Sequence, residues 1–101
     1  MNDVVVVAVD AQVDPAREAE LLEGYRLLAA IPPPEGLLRV ELLRGQAGAW
    51  RLQSTWRDLD SLRAQRTPGA KPPAAALLEQ VGATHTAALF TVAQQYGFTA
   101  P

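Results

Sequence analysis

Trp50 and Trp56 stand six residues apart in the segment Trp50-Arg51-Leu52-Gln53-Ser54-Thr55-Trp56. In a β-strand that even spacing puts both indoles on one face. Trp56 ends the segment two residues before Asp58, a plausible helix N-cap, so a large flat indole sits where a sheet meets a helix. Small domains often keep a cavity at such a junction, and an indole there can stack on a flat ring or donate its N–H. The bland alternative for Trp56 is a core aromatic whose N–H finds a backbone carbonyl. Trp50, beside the hairpin, either touches a ligand or simply packs at a strand end. Tyr25 falls on the inward face of a helix, as core filler or as a pocket hydroxyl. His85 is the only histidine, at the start of a strand, either hydrogen-bonded near the surface or functional.

Other chemistries lack their residues. There is no cysteine, which excludes disulfides, thiolate catalysis and thiolate metal sites. One histidine without a His-x-His or Glu-x-x-His spacing gives no metal site. Ser54 and Thr55 have no neighbouring base and no nucleophile-elbow pattern. Neither a Gly-x-Gly-x-x-Gly turn nor a phosphate loop occurs, so no nucleotide cofactor is expected. Asp58 and Asp60 read as helix-start charges rather than an acid–base pair. Arg51 and Arg57 read most simply as solvated strand and turn residues.

The elements that position these residues follow from hydropathy and breakers. Val4–Val9, bounded by Asp3 and Asp10, predicts a strand buried on both faces. Asp14-Pro15 predicts a helix start, and Leu21, Leu22, Tyr25, Leu28 and Ala29 its apolar face. Pro32-Pro33-Pro34 ends it near Ile31. A second strand, Leu37–Arg44, puts Leu38, Val40 and Leu42 on one side and Leu37, Arg39, Glu41 and Leu43 on the other. The loop Gly45–Gly48 turns into a third strand, about Ala49–Trp56. Asp58 caps a short helix carrying Leu59, Leu62 and Arg63, broken at Thr67-Pro68-Gly69. Pro72-Pro73 opens another over Ala74–Val81, stopped by Gly82. Thr84–Ala93 is the last strand, and Gln94–Pro101 is a tail without period.

This order predicts one α+β domain over residues 1–101, with its core over 4–93: a ferredoxin-like split βαβ antiparallel sheet with helices on one face. The bare face of that sheet is expected to be apolar as well. Hiding it calls for a homodimer, sheet against sheet. The nine basic side chains are scattered against eleven acidic ones, for a net charge of −2, so no nucleic acid partner is expected. No segment is long and apolar enough for a membrane span, and no leader precedes Val4, so the expectation is a cytoplasmic protein. Arginine over lysine and the Ala/Pro/Leu bias suggest a bacterial, high-GC source.

Over Val4–Val92 the chain resembles the antibiotic biosynthesis monooxygenase family. The resemblance lies in the β-branched first strand, the long amphipathic helix and the Gly36-led strand. It continues in the hairpin closing on Trp56-Arg57-Asp58 and in the strand after Val81-Gly82-Ala83. It implies a dimeric α+β barrel and cofactor-free oxidation of a small aromatic or quinol-type metabolite, held between sheet and helices. In that chemistry the phenolate is its own electron source. The protein binds the ring, favours its anion and excludes water.

The resemblance implies roles for Trp56, His85 and Tyr25 as catalytic residues. Trp56 would stack or donate, and Tyr25 or His85 would move a proton. Trp56, Trp50, Arg51 and Leu62 would bind substrate, with Arg51 or another arginine steadying the anion. Family members commonly place an asparagine on the first-strand side of the pocket. Here that place holds valine, and Asn2 lies too early. A haem-degrading branch shares the tryptophan but needs a helix histidine, and Gln65 and Arg66 stand there instead, so haem is not expected. Two other readings stay open: a non-enzymatic ligand-binding or structural dimer, and a different reaction such as isomerisation or decarboxylation on the same scaffold.

Overall fold

The computed structural model describes residues 3–66 and 69–97. Strand β1 spans Val5–Gln12, helix α1 Glu18–Ala29, β2 Leu37–Arg44, β3 Ala49–Trp56, α2 Leu59–Ala64, α3 Pro73–Gln80 and β4 Thr84–Thr91. The sheet is antiparallel throughout, in the order β2-β3-β1-β4. The predicted α+β, split βαβ arrangement is therefore the observed one. The helices cover one face only, as the partition of buried residues below shows.

The ends of β1 and β4 differ from the sequence reading. β1 runs past Asp10 to Gln12. Asp10 lies directly opposite Arg51 on β3, and the guanidinium holds its carboxylate at 2.7 Å, so a charge expected to end the strand is paired across it. β4 stops at Thr91, short of Ala93. The break expected at Thr67-Pro68 lies outside the described residues. Asp14 accepts from the Ala16 N–H and starts a single 3-10 turn, Pro15–Arg17, before α1.

The helix face of the sheet carries Val5, Val7, Val9 and Ala11 of β1. In register beside them stand Trp56, Ser54, Leu52 and Trp50 of β3, and Thr91, Leu89, Ala87 and His85 of β4. Leu21, Leu62, Leu77, Leu78 and Val81 close over this layer from the helices. On α1 the buried stripe is Leu21, with Gly24, Tyr25 and Leu28 partly buried. Leu22, expected inward, is 44 % exposed, and Ala29 is exposed too. The stripe turns that way because α3 presses on α1 at Gly24, where an added Cβ would strike the Leu77 side chain. A glycine is what lets two helices meet this closely.

β2 contains one correction to the predicted alternation. A β-bulge at Leu38 shifts the register, so Leu37 pairs with Trp56 and joins Val40 and Leu42 on the helix face. Leu38 takes up the extra residue and is 58 % exposed. The outer face is consequently less apolar than expected. Val6, Ala8, Ala88 and Phe90 form an apolar corner on β1 and β4. Beside it, toward β2, stand the ion pairs Arg51–Asp10 and Arg39–Glu41. No helix of the described residues is long and apolar enough to cross a membrane.

Candidate active site

Between β4 and α2 the helix layer leaves a gap. α1 and α3 crowd the sheet elsewhere, while α2 is only six residues long. A cleft of about 390 Å³ opens there. Val7 forms its floor, Leu59 and Leu62 one wall, Ala87 and Leu89 the other. Arg63 and Arg66 also line it. The volume falls in the range of small-ligand sites, roughly 300–1,000 Å³. β4 is an edge strand, and Leu89 is 53 % exposed, so one side of the cleft is open to solvent.

The placement of α2 is set by a local network. Asp58 caps it, accepting from the Ser61 N–H at 2.7 Å. That backbone hydrogen bond, with help from the Ser61 hydroxyl and Arg57, holds the Asp58 carboxyl below the usual carboxylate range. Arg57 donates to Ser61 Oγ at 3.1 Å, and its own N–H bonds the Gly36 carbonyl at 2.8 Å. Gly36 has a φ of +89°, and a Cβ on it would collide with Ser61. The start of β2 and the first turn of α2 are thus locked together, and the helix is aimed across the sheet toward β4.

Of the six residues singled out from sequence, Leu62 lines the cleft and the other five lie off it. Trp56 is buried against the core, and its indole N–H donates to Ser54 Oγ at 3.0 Å, a side-chain hydroxyl on its own strand face. Tyr25 packs over β2 and donates its hydroxyl to the Val40 carbonyl at 3.1 Å. Trp50 is at the opposite end of β3, buried, with its N–H toward Glu18 at 3.4 Å and the Arg44 guanidinium 4.7 Å from its ring centre. Arg51 points to the outer face, where Asp10 engages it. His85 shares the helix-side face of β4 with Ala87, one pleat from the cleft wall and half-buried.

Arg63 and Arg66 were missed by the sequence reading as site residues. Their signal was present: both follow Leu59 and Leu62, Arg63 on α2 and Arg66 in the turn just past its end. Among the described residues no cluster of acidic, histidine or cysteine side chains is arranged to hold a metal ion.

Four antiparallel strands with helices on one face define an α+β domain of the split βαβ class. No protein-family model and no curated protein matches the chain. Solved structures do. A point variant of SnoaB, a cofactor-independent oxygenase from Streptomyces nogalater, is 30% identical, with a TM-score of 0.71 over 92% of this chain and 96% of that one. A candidate antibiotic biosynthesis monooxygenase from Deinococcus radiodurans shares the fold at 14% identity, with a TM-score of 0.71 over 95% of this chain and 99% of that one. Another from Caulobacter crescentus does so at 19% identity, with a TM-score of 0.70 over 92% of each chain. The chain belongs to the antibiotic biosynthesis monooxygenase family. Monooxygenase chemistry is its activity at the level of the family.

Proposed function

We propose that this protein is a cofactor-independent monooxygenase that oxidises a small phenolic or quinol-type ring bound in the cleft between β4 and α2. The observation that carries the reading is the cleft itself: an apolar slot of ligand size in a chain 30% identical to a cofactor-independent oxygenase. Val7, Leu62 and Leu89 give the ring an apolar surface to pack on. The ring, as its anion, supplies the electron pair. One oxygen atom of O₂ becomes the new quinone carbonyl. The other leaves as water with the hydrogen of the oxidised ring carbon and the proton of the phenol hydroxyl. Among the described residues no lining side chain takes the ring's proton, which leaves to solvent through the open side of the cleft; His85, one pleat along β4 from Ala87, lies off the cleft. Trp56 and Tyr25, with their donors engaged inside the fold, support the sheet beneath the site.

A binding-only role is the second reading, favoured by one observation: the side chains lining the cleft include no proton acceptor. Oxygen uptake separates the two. Anthrones, naphthols and quinols are offered in turn, and one O₂ consumed per ring oxidised is expected, lost in Leu62→Trp, which fills the slot. If ligands raise the melting temperature but none consumes oxygen, the enzyme reading is dropped and the binding reading stands.

The protomers are further proposed to pair through the outer sheet face, with Phe90, 53 % exposed, at the centre of the contact. Sedimentation at micromolar concentration tests this: a dimer that Phe90→Asp converts to monomer is expected, and a wild-type monomer refutes it.

A further inference from the structure

Arg63 and Arg66 differ from every other cation of the chain in what they lack. Of nine basic side chains, six are held in ion pairs: Arg17, Arg26, Arg39, Arg51, Arg57 and Lys71. Arg44 stacks on the Trp50 ring. The two left over, with no anionic or aromatic partner among the described residues, both line the cleft. Asp60 lies one turn before Arg63, yet no ion pair forms between them. The Arg66 N–H bonds the Arg63 carbonyl at 3.0 Å and continues the turn past the end of α2, so the two side chains leave the backbone one turn apart. That spacing brings neighbouring side chains to about 5–6 Å at Cβ, close enough for both to reach one acidic group.

We infer that Arg63 and Arg66 form an anion clamp at the mouth of the cleft, and that its ligand is a flat apolar body carrying a carboxylate. The inference rests on the cleft being the ligand site proposed above and adds the substrate's charged substituent to it. Guanidinium suits this task because its planar donors match the two oxygens of a carboxylate. The apolar walls stand behind the clamp, so a ligand satisfies both only if its acid projects outward from the ring system. The competing explanation is that the arginines merely face the carbonyl end of α2, a favourable place for cations. That explanation predicts an effect on stability and none on ligand charge.

The test compares 2-naphthoate with 2-naphthamide, the same ring with and without the charge, by calorimetric titration. Wild type is expected to bind the carboxylate about 3- to 10-fold more tightly, the size two solvent-facing ion pairs supply. The preference is expected to shrink as salt is raised, while amide binding holds. In Arg63→Gln/Arg66→Gln the ratio falls to about one, with amide affinity within about twofold. In Arg63→Lys/Arg66→Lys a part of the preference returns. Arg26→Gln, on the far side of α1, leaves it unchanged. A wild-type ratio near one, or a preference that survives the double glutamine variant, overturns the clamp. Binding of neither compound overturns it together with the cleft as ligand site. Tight, charge-selective binding without oxygen uptake upholds the clamp and removes only the oxygenase reading.

Discussion

Replacing Trp56 with phenylalanine separates a structural tryptophan from a ligand-facing one. The side chain is 7 % exposed, and its N–H is committed to Ser54 Oγ at 3.0 Å. Phenylalanine keeps a ring but lacks two indole carbons and the N–H. Two buried carbons are worth about 0.8 kcal/mol each, so packing loses about 1.5 kcal/mol. The hydrogen bond contributes about 1 kcal/mol net. A total near 2.5 kcal/mol corresponds to a fall in Tm of about 10–20 °C for a domain of this size. Thermal unfolding at one fixed protein concentration measures it, since the proposed pairing of protomers would make Tm concentration-dependent.

The functional half of the same experiment is run cold, where the variant is still folded. Trp56 does not line the cleft, so 2-naphthamide binding is expected to stay within about twofold of wild type. Ser54→Ala closes a double-mutant cycle. A coupling of about 1 kcal/mol is expected between the two positions if the bond contributes as argued. Unchanged melting combined with lost binding refutes the placement of Trp56 as a supporting residue. Zero coupling with Ser54 refutes the hydrogen-bond part alone.

Three further outcomes follow from particular contacts. Thr55 is 5 % exposed, and its hydroxyl has no hydrogen-bond partner among the described residues, so Thr55→Val is expected to stabilise by about 1 kcal/mol in urea titration; destabilisation refutes the unpaired hydroxyl. Gly36→Ala meets both a left-handed φ and the Ser61 side chain and is expected to cost about 2–4 kcal/mol. Gly69→Ala, with φ +81° but nothing within 4 Å, carries the backbone cost alone, and equal losses at the two sites argue against crowding at Gly36. Asp10, Glu20, Glu23, Asp58 and Glu79 are all held below their ordinary range by hydrogen bonds, from Arg51, Arg17, Arg26, Ser61 and Lys71 in turn. A carboxylate depressed in the folded state stabilises above its unfolded pKa and stops doing so as pH falls through its folded one. Melting temperature is therefore expected to drop below about pH 4, and a curve level down to pH 2 contradicts these pairings.

The fold was legible because its signals are local. Strand and helix periods, Asp14-Pro15, Asp58 and Gly82 each act within a few residues, and each stands where its local chemistry places it. What was misread depends on contacts between distant segments. Asp10 looked like a strand end because Arg51, its partner, is 41 residues away. Leu37 was put on the wrong face because alternation assumes no bulge, and nothing in Gly36-Leu37-Leu38 alone announces one. Leu22 was turned inward because a helical wheel cannot show that α3 presses on Gly24.

The site was harder to read for the same reason carried further. Aromatic and histidine side chains attract notice in a sequence because they are rare, yet rarity does not say whether a donor is already engaged. Trp56, Trp50 and Tyr25 each place their donor group on a partner inside the fold. Arginine is common here, and the one singled out from sequence, Arg51, is paired with Asp10 on the outer face. The nine basic side chains, eight of them arginine, become informative only once the fold has paired or stacked seven of them, leaving Arg63 and Arg66 beside one apolar slot. A charge left without an ion-pair partner beside apolar side chains is well placed to gain from a ligand. Charge selectivity in binding is for that reason a sharper probe of this cleft than the loss of any aromatic.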